Sequence, residues 1–109
     1  MNTVIIRIDG NVQWRVTKDP ETETWIGVCD RLNLVAHGDT FSEMQICANE
    51  AMGALFLDLF EDNELVEFLR QHGWSIVQTL PHPGRKVTFD MPSEWARPLT
   101  TAEEILQPA

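Results

Sequence analysis

The chain has 109 residues, 43% of them hydrophobic, and its eight Lys and Arg residues against 17 Asp and Glu residues give a net charge of −9. This length is enough for one globular domain and leaves no room for two. The acidity argues against direct binding to nucleic acid or to a membrane surface and favours a basic protein as a partner, although acidity also serves simply to keep a protein soluble.

The sequence predicts a cytoplasmic location. No apolar run approaches the ~20 residues that span a bilayer, and the first residues lack the basic start and the cleavage site of a signal peptide. Cys29 and Cys47 lie in apolar surroundings. In a reducing compartment such cysteines are expected to be small core residues instead of a disulfide.

The chain opens with strand patterns. Residues 4–8 and 12–16 alternate between apolar and polar side chains, and Gly10 lies between the two runs. This pattern predicts a β-hairpin, and a single long strand with a bulge at Gly10 is the alternative. Shorter apolar runs predict two further strands at 25–29 and 34–37.

A long helix is predicted to follow. Gly38 permits a tight entry turn, Thr40 is the expected N-cap, and Glu43, three residues later, completes a capping box in which it reaches back to the Thr40 amide. Apolar side chains then recur at three- and four-residue spacing, as on one helix face. They are Met44, Cys47, Ala48, Ala51, Met52, Leu55 and Leu59.

The end of this helix is apolar nearly all round, which indicates burial on all sides. We call Phe56, Leu57, Leu59 and Phe60 the apolar belt. Either later segments of the chain or another copy of the protein must cover it. Because the belt is wider than one helix stripe, we expect it to be the interface of a homo-oligomer.

After the belt, Asp62 or Asn63 is the expected cap of a shorter helix that Gly73 ends, with Trp74 over Leu69. Runs at 74–80 and 85–89, separated by a proline-rich turn, predict two more strands. The predicted fold is therefore α+β, with an antiparallel-rich sheet packed on one long and one shorter helix. We expect one domain over 1–90 and a tail over 91–109, with two helical turns at 100–106.

One set of residues forms a spaced motif: Asp30 in a loop, Gly38, Asp39, Thr40 and Glu43 at the helix start, and Glu50 and Ala51 further along. With the strand and helix order, this motif resembles the HicB family of antitoxins, which have a partial ribonuclease H-like fold. Asn33 stands where the family's loop has glycine, a change that asparagine's tolerance of positive φ permits.

The resemblance implies that the protein neutralises a small basic ribonuclease toxin of the HicA type by covering its active site. Asp30, Trp95 and Leu99 are the candidate partner-binding residues. Asp30 lies in the family's loop, and the other two are expected to be exposed apolar residues of the tail. The alternative is that the tail packs on the chain's own sheet. The tail has no recognition helix, so we expect no operator binding through it.

Catalysis is not expected. A ribonuclease H-like site needs carboxylates converging on two divalent metals. The available acids, Asp9, Asp30, Glu43 and Glu50, form no obvious cluster, and the histidines, His37, His72 and His82, are scattered without further ligands at zinc spacing. We therefore expect no cofactor and no metal. A stand-alone structural or regulatory oligomer is the second hypothesis, and a metal-dependent nuclease is the third.

Overall fold

A computed structural model describes residues 3–96 of the chain, which form a mixed α+β fold as predicted. Within these residues, neither helix combines the length and the apolar character needed to cross a bilayer. In chain order the elements are β1 (Val4–Asp9), β2 (Val12–Lys18), β3 (Trp25–Cys29), β4 (Leu34–Gly38), α1 (Phe41–Glu61), α2 (Leu65–Gln71), β5 (Ser75–Ile76), β6 (Val87–Asp90) and β7 (Ser93–Ala96).

The prediction of a hairpin at the start of the chain is wrong. The alternative prediction, one long strand that bends at Gly10, describes this segment. Strands β1 and β2 do not pair with each other, because β1 lies in a sheet of order β5-β1-β6 and β2 in a sheet of order β4-β3-β2-β7. The returning strands β6 and β7 run parallel beside β1 and β2, with Arg7 opposite Asp90 and Val12 opposite Ser93. Between these two pairs, the bent strand has two residues more than the returning strand beside it. The extra residues form a bulge at Gly10.

One face of this bent strand and one stripe of α1 form the core. Ile6, Ile8, Val12, Trp14 and Val16 are all buried, so the same side of the strand faces inward before and after the bend. The buried stripe of α1 recurs every four residues, as one helix face must. It consists of Met44, Ala48, Met52, Phe56 and Phe60.

The start of α1 is held by the predicted residues, with one difference. Thr40 is the N-cap, and its side chain accepts a hydrogen bond from the Glu43 amide at 3.0 Å. The Glu43 carboxylate accepts from the amide of Asp39 at 3.0 Å, not from that of Thr40 as the capping box predicts. A Cβ at Gly38 would lie 2.5 Å from the backbone nitrogen of Met44, so the entry turn requires glycine.

Both helices end in the same left-handed turn. Asn63 has φ +59° and its N–H donates to the Phe60 carbonyl, while the Glu64 N–H donates to the Leu59 carbonyl at 2.8 Å. Asn63 therefore ends α1, and the prediction that Asp62 or Asn63 caps α2 is wrong because Glu64 occupies that position.

Gly73 ends α2 with φ +79°, as predicted. The Trp74 N–H donates to the Leu69 carbonyl at 2.8 Å and the Gly73 N–H donates to the Arg70 carbonyl at 3.0 Å. The strand predicted over 74–80 is shorter in the structure, because only Ser75–Ile76 pairs with β1.

The chain's own later segment covers two residues of the apolar belt. Phe56 and Phe60 are 0% and 2% exposed, and Phe89 of β6 packs edge-on against both, with ring centroids 5.7 and 6.4 Å away. These two side chains are therefore not available as the expected oligomer interface. Leu59 is half-buried against the core and Leu57 is 36% exposed.

The packed strands of the fold continue past residue 90. Met91 is buried and β7 pairs with β2, so the boundary predicted after residue 90 falls between two strands of the fold. The helical turns predicted at 100–106, and Leu99, lie outside the described residues.

Candidate protein-binding surface

The sheet β4-β3-β2-β7 packs one face on α1 and exposes the other, which we call the outer face. Alternation along each strand decides which residues reach it, because Trp14 and Ala36 point into the core and their neighbours point away. The outer face consists of Gln13, Arg15 and Thr17 of β2, Ile26 and Val28 of β3, Val35 and His37 of β4, and Glu94 and Ala96 of β7.

Strand register aligns these side chains in rows across the sheet. Arg15 lies opposite Val28 on one side and Ala96 on the other, and Val28 lies opposite Val35. Val35 is 60% exposed and Val28 is half-buried. The row therefore forms a strip that is largely apolar and crosses all four strands, with one arginine in it.

That arginine is held in place by Asp30. The Arg15 Nε donates to Asp30 Oδ2 at 2.8 Å and the Arg15 Nη2 donates to Asp30 Oδ1 at 2.9 Å, a two-point pairing. The hydrogen bond raises the pKa of the Arg15 guanidinium above its ordinary value and lowers the pKa of the Asp30 carboxyl. Both side chains are largely exposed, so the pair orients Arg15 more than it stabilises the fold.

A cleft of about 410 Å³ lies beside this pair. At its rim the Arg31 guanidinium stacks over the Trp74 ring at 5.1 Å and donates to the His72 carbonyl at 2.8 Å. The side chains of Arg15, Asp30 and Arg31 are thus held in fixed positions. The lining residues are Asn11, Gln13, Trp14, Arg15, Asp30, Arg31 and Ala96.

The predicted partner-binding residues do not come together. Asp30 lies at the outer face, paired with Arg15. Trp95 is half-buried on the inner side of β7, where its ring stacks on Trp14 at 5.6 Å and meets Phe41 edge-on at 6.1 Å, so the expectation that it is exposed is wrong. Leu99 lies outside the described residues.

The four candidate acids occupy separate places. Asp30 pairs with Arg15, Glu43 caps α1, Asp9 lies opposite Ser75 at the end of β1, and Glu50 is exposed on α1. Over residues 3–96, no group of three or more His, Cys, Asp and Glu side chains is arranged to hold a metal ion.

The three histidines also differ in surroundings. His37 lies on the outer face. The Nδ1 of His72 donates to the Phe68 carbonyl at 2.8 Å, since a carbonyl oxygen only accepts. His82 lines a small groove beside α2.

The sequence did not indicate the outer face. Residues 25–29 are apolar at nearly every position, so periodicity does not distinguish the side that faces α1 from the side that faces solvent. The pairing of Arg15 with Asp30 joins residues 15 positions apart and depends on the β2–β3 register.

The chain matches no protein-family model, no curated protein and no solved structure.

Proposed function

We propose that this protein is a non-catalytic binding module that uses its outer face to hold a small basic protein, in the manner of an antitoxin that covers a HicA-type ribonuclease. The observation that carries the proposal is the row across the open sheet in which exposed Arg15 and Val35 flank the partly buried Val28. An apolar centre that contains a fixed arginine is the composition of a protein interface, in which a few such residues supply most of the binding energy.

The charge of the chain selects the kind of partner. The net charge of −9 attracts a basic protein to the surface over long range and repels the phosphates of nucleic acid. After the encounter, the apolar side chains of Ile26, Val28 and Val35 lose contact with water and hold the complex. Charge then governs the rate of association, and the outer face governs the rate of dissociation.

The sequence resemblance to HicB supports the same proposal. As far as α1, the described chain runs as one bent strand, two antiparallel strands and a capped helix, an order consistent with that resemblance. Asn33 has φ +56°, as expected of a residue that stands in for the family's loop glycine.

The test is co-expression with the protein encoded by the neighbouring reading frame, followed by a pull-down and a growth assay. We expect the chain to rescue growth, and a rise in salt mainly to slow association. The variant Ile26→Lys places a charge at the middle of the outer face and is expected to abolish both capture and rescue. Val77→Lys is the control for adding a charge at an apolar surface position elsewhere, because Val77 is 64% exposed and lies on the segment after β5.

Two results would contradict the proposal. One is a neighbouring protein that is neither toxic nor captured. The other is capture that Ile26→Lys and Val77→Lys affect equally, since binding would then not use the outer face. The stand-alone oligomer takes its place in the first case.

A further inference from the structure

Strand β4 is a free edge of the fold. It pairs with β3 on one side only, and no other described strand lies along its second side. Alternate residues of Leu34–Gly38 therefore present N–H and C=O groups with no ladder partner among the described strands, the arrangement on which another strand can add.

This edge lacks the features by which proteins protect such strands. Leu34–Gly38 contains no Asp, Glu, Lys, Arg or Pro, and its pairing with β3 runs without a bulge from Leu34 opposite Cys29 to Gly38 opposite Trp25. The other edges are protected. Strand β5 has two residues, β6 ends in Asp90, and β7 carries Glu94.

The side chains of β4 also leave apolar surface exposed at the edge. Val35 is 60% exposed and continues the row formed with Val28. In a chain of net charge −9, two copies repel each other at most surfaces, and a strand without ionised carboxylates is where that repulsion is weakest.

We propose that two copies of this chain pair antiparallel through β4, joining two four-stranded sheets into one of eight strands. A two-fold axis perpendicular to the sheet makes the interface self-complementary. Residues that lie opposite each other in a strand pair point to the same face of the sheet, so only some registers are possible. One such register places Ala36 opposite Ala36 of the second copy and Val35 opposite His37 of the second copy. Val35 is then enclosed between Val28 and that histidine.

This inference goes beyond the proposed function and does not depend on it. With the axis perpendicular to the sheet, both outer faces point to the same side. A dimer therefore presents two binding surfaces side by side, and a partner that engages both gains effective concentration without new contacts.

The mass in solution tests the pairing. We expect sedimentation of the full chain to change from one-chain to two-chain mass between about 1 and about 100 µM, as for a small interface. Val35→Lys places like charges on both sides of the axis and is expected to weaken association at least tenfold. Val77→Lys, an equally exposed valine elsewhere, is expected to behave as the wild type. His37→Lys is the second edge variant, should Val35→Lys unfold by circular dichroism.

Hydrogen exchange distinguishes edge pairing from stacking of outer faces. Edge pairing protects the alternate β4 amides that point away from β3, and the protection rises with protein concentration. One-chain mass throughout overturns the proposal. So does a dimer that persists in the folded edge variants, or one that forms without protecting β4.

Discussion

The indole of Trp74 lies directly over Gly10, so that a Cβ on Gly10 would be 2.3 Å from the Trp74 Cδ1 atom. Trp74 follows the end of α2, and Gly10 is the bend between β1 and β2. The guanidinium of Arg31 and the ring of His72 also stack on this indole, each about 5.1 Å away. One tryptophan therefore ties the strand bend, the loop after β3 and the end of α2 together.

Gly10→Ala is expected to destabilise the protein strongly. Gly10 has φ +153°, which an alanine rarely adopts, and the added methyl group collides with Trp74. Strain and overpacking together should lower the free energy of unfolding by about 2 to 4 kcal/mol. Urea denaturation measures it. Gly84→Ala is the control, because Gly84 also has a positive φ of +95° but has nothing within 4 Å of an added Cβ. An equally large loss of stability in Gly84→Ala would show that the contact with Trp74 contributes nothing.

Gly53→Ala is expected to stabilise the protein. Gly53 lies inside α1, and nothing lies within 4 Å of an added Cβ. The gain should be about 0.5 to 1 kcal/mol, since glycine loses more backbone freedom than alanine in a helix. Gly73→Ala has equal space but φ +79°, so it should instead cost about 1 to 2 kcal/mol. Thermal unfolding of both variants measures the two changes in stability. Changes of the same sign in Gly53→Ala and Gly73→Ala would contradict the prediction.

Thr40→Ala removes the side-chain oxygen that accepts from the Glu43 amide. The expected loss in the free energy of unfolding is about 1 kcal/mol. Thr40→Ser keeps the acceptor and should stay within a few tenths of a kcal/mol of the wild type. Equal losses in both variants, measured by chemical denaturation, would mean that the methyl group of Thr40 matters and the cap does not.

The pKa of the Asp30 carboxyl is expected to lie below its ordinary value because Arg15 donates to it. Because the Asp30 pKa is lower in the folded state, the ion pair stabilises the fold at any pH above the pKa of the unfolded chain. This stabilisation is lost as the pH falls through the folded-state pKa. Carboxyl NMR titration should show Arg15→Gln raising the Asp30 pKa back toward its ordinary value. Arg70→Gln removes an arginine paired with Glu67 elsewhere and should leave Asp30 unchanged.

We expect no ribonuclease activity with Mg²⁺ or Mn²⁺. The reason is the separation of the candidate acids, of which Asp30 is engaged by Arg15 and Glu43 by the start of α1. The measurement is cleavage of labelled RNA by the full chain. Cleavage that disappears in Asp30→Ala or Glu50→Ala would overturn this expectation.

Local signals in the sequence were sufficient for α1 and for the turn that ends α2. The spacing of Thr40 and Glu43 and the position of Gly73 act within a few residues, so they predict structure without knowledge of the rest of the fold. The same signals were ambiguous at Asn63, where one residue suits a helix start as well as a helix end. Geometry placed it in the left-handed turn of α1.

The sequence by itself determined the fold class, the acidity of the molecule and the first part of the buried face of α1 at Met44, Ala48 and Met52. Periodicity and charge are properties of short segments and of composition. Tertiary structure alone decided that β1 and β2 form one bent strand, that Phe89 covers Phe56, and that Arg15 meets Asp30. Each of these joins residues distant in the chain, or chooses between arrangements with the same local pattern. Long-range register and packing decide such choices, and no segment of the sequence encodes them separately.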